Sequence, residues 1–425
     1  MPKWLMVAGA TEDDEATIAF GDTAYNTPCG WLELYPAPFT TEVMQQFIAR
    51  DSYTWADLLV KITANTLDGT TTVKSRVDAG DGNQSVSILT TQTGTFQDTV
   101  STDTLTDGEL FCYEFAAAGT SGEIIASIIS STLETASNTT PTIGFNYASS
   151  LESSNSTRYI ALVGGNHDIM QGDPELKAQY TFRADATLTN LRVFGMVSSQ
   201  ASMTLITRIN GGNGTLTISI PDNTSGIYED AVHSDSISAG DEVNLRTVTG
   251  AGTGSGRYIR FYSFQVKSNS IGRQTACGTV DVGYEIDRSL TRYFAIEGDI
   301  RRGTVTEANV QCLTRMAFVA KNFFVNIKTN TVTAARIINT RIDGGDGSLT
   351  VSITAATTGI FEDLGNTDTL ADDELYNYKI AATGGSGYTV VGIIGFEQQQ
   401  EAAPPVGLEN KSANMGSKMV AAGLI

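Results

Sequence analysis

Three short turns gather acidic and amide side chains: Asp78-Ala79-Gly80-Asp81-Gly82, Asn210-Gly211-Gly212-Asn213-Gly214 and Asp343-Gly344-Gly345-Asp346-Gly347. Carboxylates and carbonyls at this spacing are Ca²⁺ chemistry, so Asp78, Asp81, Asp343 and Asp346 are the candidate metal ligands. The competing reading is a hairpin loop in which Gly and Asn supply positive φ at little strain. The second copy carries Asn210 and Asn213 where the others carry aspartates, which weakens a shared metal role. The turn reading leads, and no metal is expected. Arg76, Arg208 and Arg341 precede the turns. Each can hold an acidic ligand, but each is expected to end a strand and pair with a carboxylate of its own unit, Asp98, Asp230 or Asp363.

The remaining reactive groups are sparse. His167-Asp168 and His233-Ser234-Asp235 are fragments of a triad without a GxSxG nucleophile elbow, and read as loop residues. Gly252-Thr253-Gly254-Ser255-Gly256 lies between strands, with no following helix and no Walker lysine to hold phosphate. Cys29, Cys112, Cys277 and Cys312 show no CxxC spacing and read as reduced, mostly buried thiols. Tyr376 with Tyr378, and Tyr258 with Tyr262, share strand faces and can form sugar platforms, but core is the favoured reading. No catalytic residue and no cofactor is expected.

The elements that carry these residues recur. Arg76, Arg208 and Arg341 stand 132 and 133 residues apart, and so do Gly94-Thr95-Phe96-Gln97-Asp98, Gly226-Ile227-Tyr228-Glu229-Asp230 and Gly359-Ile360-Phe361-Glu362-Asp363. Asp103-Thr104-Leu105, Asp235-Ser236-Ile237 and Asp368-Thr369-Leu370 follow, then an acidic turn and a Gly/Ser turn in each copy. Upstream, Thr17-Ile18-Ala19-Phe20 aligns loosely with Thr142–Phe145 and Thr279–Val282, and Trp31–Leu34 with Arg158–Leu162 and Arg292–Ile296. These matches place three units at 16–133, 140–268 and 278–397. Within a unit the apolar pattern has period two and Gly, Asn or Asp turns separate the runs. The second unit reads as eight strands, one of them near 177–183. The fold class is therefore all-β: three tandem antiparallel jelly-roll-like β-sandwiches. An immunoglobulin sandwich lacks its Cys…Trp…Cys spacing, and a propeller needs shorter repeats.

The 425 residues carry a net charge of −20, which repels phosphate backbones, so nucleic acid is not an expected partner. No run reaches the roughly 18–20 apolar residues of a membrane helix, and the first residues make a poor signal peptide. Short arms are expected at 1–15, with Trp4, Leu5 and Met6, and after a polar linker at 398–425, with Met415, Met419, Val420, Leu424 and Ile425 as docking residues.

The shared pattern, carried best by Leu58–Ile128, Leu188–Val266 and Phe323–Phe396, resembles the jelly-roll modules of tailed-bacteriophage structural proteins of capsid-decoration, head-fibre or tail-appendage type. The resemblance implies a virion component, made in the host cytoplasm, that binds capsid or other virion proteins and is not an enzyme. Such modules are similar to tumour-necrosis-factor-like jelly rolls, which often form trimers; the implied states are a homo-oligomer, or one chain imitating a trimer. The alternative is a carbohydrate- or receptor-binding adhesin holding a surface glycan, with a polysaccharide depolymerase behind it.

Overall fold

The computed structural model of the chain describes residues 3–9, 16–19, 21–26, 30–31, 42, 45–137, 139–146, 155–162, 164–166, 170–171, 175, 178–197, 202–251, 257–270, 272–275, 279–280, 285–299 and 303–400. The architecture is three antiparallel β-sandwiches in tandem.

Each unit has eight main strands. In the first they are Lys3–Gly9, Thr23–Asn26, Tyr53–Asn65, Thr71–Val77, Gly80–Ile88, Gly94–Leu105, Leu110–Ala117 and Glu123–Thr135. One sheet runs first–eighth–third–sixth and the other second–seventh–fourth–fifth, the strand order of a jelly roll. The second and third units repeat both orders.

Period-two alternation sets which side chains enter the core. The fifth strands Gly80–Ile88, Gly212–Ile220 and Gly345–Ile353 have one burial pattern, with Val86 and Ile88, Ile218 and Ile220, and Val351 and Ile353 inside. Leu216 and Leu349 complete that stripe, whereas the first unit buries Gln84 there, bonded to the Trp55 carbonyl and Asp103. Aromatic clusters fill the interiors: Trp55 lies 5.1 Å from Phe111 and 4.8 Å from Tyr113 in the first unit, and Tyr376 and Tyr378 pack on Phe396 in the third.

Several sequence expectations change here. Residues 3–9 are not an arm: Lys3–Gly9 pairs along its whole length with Gly9↔Ile128 through Lys3↔Glu134 and is the unit's first strand. Trp4, Leu5 and Met6 are buried, because this strand has sandwich on one face and the third unit on the other. The first unit thus starts at Lys3 instead of residue 16, and Ala16–Ala19 is a short extra strand on the eighth. The counterpart of Arg158 and Arg292 lies in Thr23–Asn26, which holds the place on the seventh strand that Thr157–Ile160 and Arg292–Phe294 hold in theirs. Gly30–Trp31 instead lies parallel to the first strand, as Gly164–Asn166 and Gly298–Asp299 do in their units. The strand expected near 177–183 shrinks to Tyr180–Thr181. The C-terminal arm residues Met415, Met419, Val420, Leu424 and Ile425 lie outside the described residues.

Candidate functional site at the turns and the seams between units

The three turns close the hairpin between the fourth and fifth strands. Asp78, Asn210 and Asp343 take φ of 47°, 49° and 48°, the left-handed conformation that Asn and Asp tolerate best among residues with a side chain. Each side chain accepts the backbone N–H that opens the seventh strand: Leu110 (2.8 Å), Glu242 (2.9 Å) and Leu375 (2.9 Å). Asn serves here as well as Asp, which explains the second copy. Asp81 binds Lys74 and Arg76; Asp346 binds Lys379 and Arg341. The four calcium candidates therefore face cationic or N–H donors, and no group of three or more metal-binding side chains occurs among the described residues.

The arginines do not pair with Asp98, Asp230 and Asp363. They make two-pronged pairs with Glu42, Glu175 and Glu307, at 3.1 and 3.2 Å, 2.8 and 3.0 Å, and 2.8 and 3.1 Å. The other guanidinium donors reach Asp81, Asn213 or Asp346 and the carbonyls of Ala79, Gly211 or Gly344. A saturated fork of this kind fixes a loop to a sheet. The guanidiniums are pushed above their ordinary range, chiefly by the glutamate hydrogen bonds, and Asp346 is held down to about 2, chiefly by Lys379.

Asp98, Asp230 and Asp363 brace a bulge. Each accepts an N–H from the fifth strand, from Ser85, Thr217 or Thr350, and two more from the residues just after it. The sixth strand is irregular there, opposite Asp57, Asn190 and Asn322, all at positive φ. His233 Nδ1 lies 2.9 Å from Asp230, while Asn366 donates to Asp363 from the matching position. His233 is thus a bulge residue; His167 and Asp168 lie outside the described residues.

Asp103, Asp235 and Asp368 are buried in the interior. They accept the hydroxyls of Ser75, Thr207 and Thr340 and the N–H groups of Asn83, Thr215 and Ser348. Gly82, Gly214 and Gly347 leave room for this: a Cβ on Gly347 would sit 2.4 Å from Thr340 Oγ1 and 2.6 Å from Asp368 Oδ2. Gly347→Ala is therefore expected to lower stability by about 1–3 kcal/mol, read as a lower urea midpoint; an unchanged midpoint would show that the contact relaxes freely.

The strongest pattern escaped the sequence reading. Arg50, Arg183 and Arg315 stand 133 and 132 residues apart, and each reaches into the next unit: Arg50 to Glu229, Arg183 to Glu362, and Arg315 to Gln97. Their acceptors are equivalent too, so one seam is built three times and the third unit returns to the first. The three units close a ring with pseudo-threefold symmetry. At the closing seam Lys3 donates to the Arg315 carbonyl (3.2 Å), the Val7 N–H to Glu297 (3.2 Å) and Ser127 to the Asn309 carbonyl (2.7 Å). Leu5, Val7, Leu59 and Ile128 of the first unit share an apolar cluster with the third, and Phe324 and Ile393 of the third share one with the second. Tyr180 meets Phe324 at 5.4 Å and Arg183 lies over the same ring at 4.7 Å. Arg192 donates to the Gln46 carbonyl between the first and second units, and burial pulls its pKa down to about 10.

Other candidate groups are structural. Tyr262, Tyr376 and Tyr378 are buried core residues, while the side chain of Tyr258 lies outside the described set. Cys112 and Cys312 are free and buried, and burial raises both thiols, Cys312 to about 12. Cys29 and Cys277 lie outside the described residues. No described helix is long and apolar enough to cross a membrane.

No protein-family model and no curated protein matches the chain. Among solved structures, the crystal structure of the insecticidal delta-endotoxin Cry8Ea1 from Bacillus thuringiensis is similar over 60% of this chain and 61% of its own, with 9% identity and a TM-score of 0.16.

Proposed function

We propose that the chain is a structural protein of a bacteriophage particle, carried on its outside as a capsid-decorating or head-fibre module. The observation that supports this most directly is the seam repeated three times, which makes one polypeptide the equivalent of a jelly-roll trimer. The recurrent charged side chains are engaged in turns, bulges and seams, so the work left to this molecule is the presentation of a rigid surface to neighbouring virion proteins. Its net charge of −20 limits adhesion to DNA during assembly in the host cytoplasm. The reading predicts a 45.2 kDa monomer by light scattering, and antibodies against it that decorate intact phage particles from the source culture in immunogold micrographs. Particles that stay unlabelled, or a chain that runs as an open polymer, would overturn it.

A further inference from the structure

The three seams share a plan, yet the one that closes the ring contains a cleft. It has a volume of about 270 Å³ and is lined by Leu59, Thr95 and Gln97 of the first unit and by Gln311, Leu313 and Leu375 of the third. The sister seams put larger side chains at two of these positions. Arg192 and Ile227 stand where Leu59 and Thr95 do in the second unit, and Phe324 and Ile360 in the third. Arg192 crosses to the Gln46 carbonyl, Phe324 packs on Tyr180, and Ile360 packs against the second unit's core. At these two positions the closing seam carries the smaller side chains.

We propose that this cleft binds a neutral pyranose ring. Its polar groups are uncharged: the Thr95 hydroxyl, the Gln311 amide and the Gln97 side chain, whose oxygen is held by Arg315 so that its NH₂ is left to donate. The described residues give the Gln311 amide no hydrogen-bond partner. The lining itself carries no charge; two cations stand beside it, Arg315, engaged by Gln97 and Asp373, and Lys61, the cross-strand neighbour of Thr95. Leu59, Leu313 and Leu375 supply an apolar wall for the C–H face of a sugar ring, while the amides and the hydroxyl meet its edge. The volume lies below the roughly 300–1,000 Å³ of drug-sized sites, so a single ring fits and a nucleotide does not. This inference is independent of the virion assignment.

Saturation-transfer NMR and titration of the full chain with the methyl glycosides of glucose, galactose, mannose, N-acetylglucosamine and N-acetylgalactosamine test it. At least one is expected to bind with a Kd of about 1 mM, the range of a small single-ring contact. Thr95→Ile and Gln311→Ala are each expected to weaken it at least tenfold with an unchanged thermal midpoint, and Leu59→Phe, which copies Phe324 of the third unit, is expected to weaken it as much. Thr95 is exposed, so Thr95→Ile decides the matter should Leu59→Phe fail to fold. Equal affinity for the free sugar identifies a monosaccharide ligand, and preference for the glycoside identifies a glycan end; both support the site. No binding by any of the five at about 20 mM, or binding that survives Thr95→Ile, overturns it.

Discussion

Val7→Asp is expected to abolish the folded ring, with a loss of at least about 4 kcal/mol or no soluble protein. Val7 is fully buried on the first strand, and its side chain belongs to the cluster that joins the first unit to the third. Its own N–H already donates to Glu297, so a new carboxylate would enter an apolar seam beside an existing one. Burying an unpaired charge costs several kcal/mol after relaxation, and a like charge nearby adds to it. Val100→Asp is the control: Val100 is 88% exposed at the sixth-strand bulge, and such surface changes stay within about 0.5 kcal/mol. Thermal unfolding of both variants tests whether this face of the first strand is packed in the seam with the third unit. If Val7→Asp melts with the wild type, the outer face of Lys3–Gly9 is not buried against the third unit.

That contrast shows where sequence reasoning succeeded and where it stopped. The sandwich class was legible because period-two burial and turn chemistry are local, and three copies reinforced each other. Asp78, Asn210 and Asp343 were read as turn residues from local backbone preference alone, and the structure places all three at positive φ. The first strand was not legible. Its partner lies more than 100 residues away, and Lys3-Trp4-Leu5-Met6-Val7 shares no pattern with Thr139–Asn146, so pairing with the eighth strand left no mark in either segment.

The seams were half visible. Arg50, Arg183 and Arg315 carry the same 133- and 132-residue spacing as the turn arginines, but their neighbours differ: Ala49 and Asp51, Phe182 and Ala184, Thr314 and Met316. Glu42, Glu175 and Glu307 keep the spacing, eight residues before each of these arginines. Each pair survives with one further recurrent residue, Gln46, Gln179 or Gln311, set midway between glutamate and arginine, so only alignment of whole units exposes it. The guess that the turn arginines bind Asp98, Asp230 and Asp363 failed for a related reason. Those aspartates recur because backbone N–H groups at a bulge need acceptors, and recurrence alone does not say which partner a carboxylate serves.

Asp368→Ala is expected to cost about 3–5 kcal/mol, far more than removal of an ordinary surface carboxylate. Asp368 is 2% exposed and accepts from Thr340, the Ser348 N–H and, at 3.1 Å, the Tyr376 hydroxyl. Truncation strands two buried hydroxyls and the part-buried Ser348 N–H; a buried donor costs about 1–3 kcal/mol when unsatisfied, partly relieved by relaxation. Adding Thr340→Val removes one of them, so the double variant should regain about 1 kcal/mol over the value expected from independent effects. A cavity explanation predicts no such recovery, because Val fills the same volume as Thr and leaves the hole beside it unchanged. Urea unfolding of the four proteins closes the cycle. A cost below 1 kcal/mol, or strict additivity, would mean that the aspartate repeated at 103, 235 and 368 is not what fixes the fifth strand against the sixth. Gly82, Gly214 and Gly347 would then have no reason to lack a side chain, since the space they leave is occupied by this carboxylate and its hydroxyl partner.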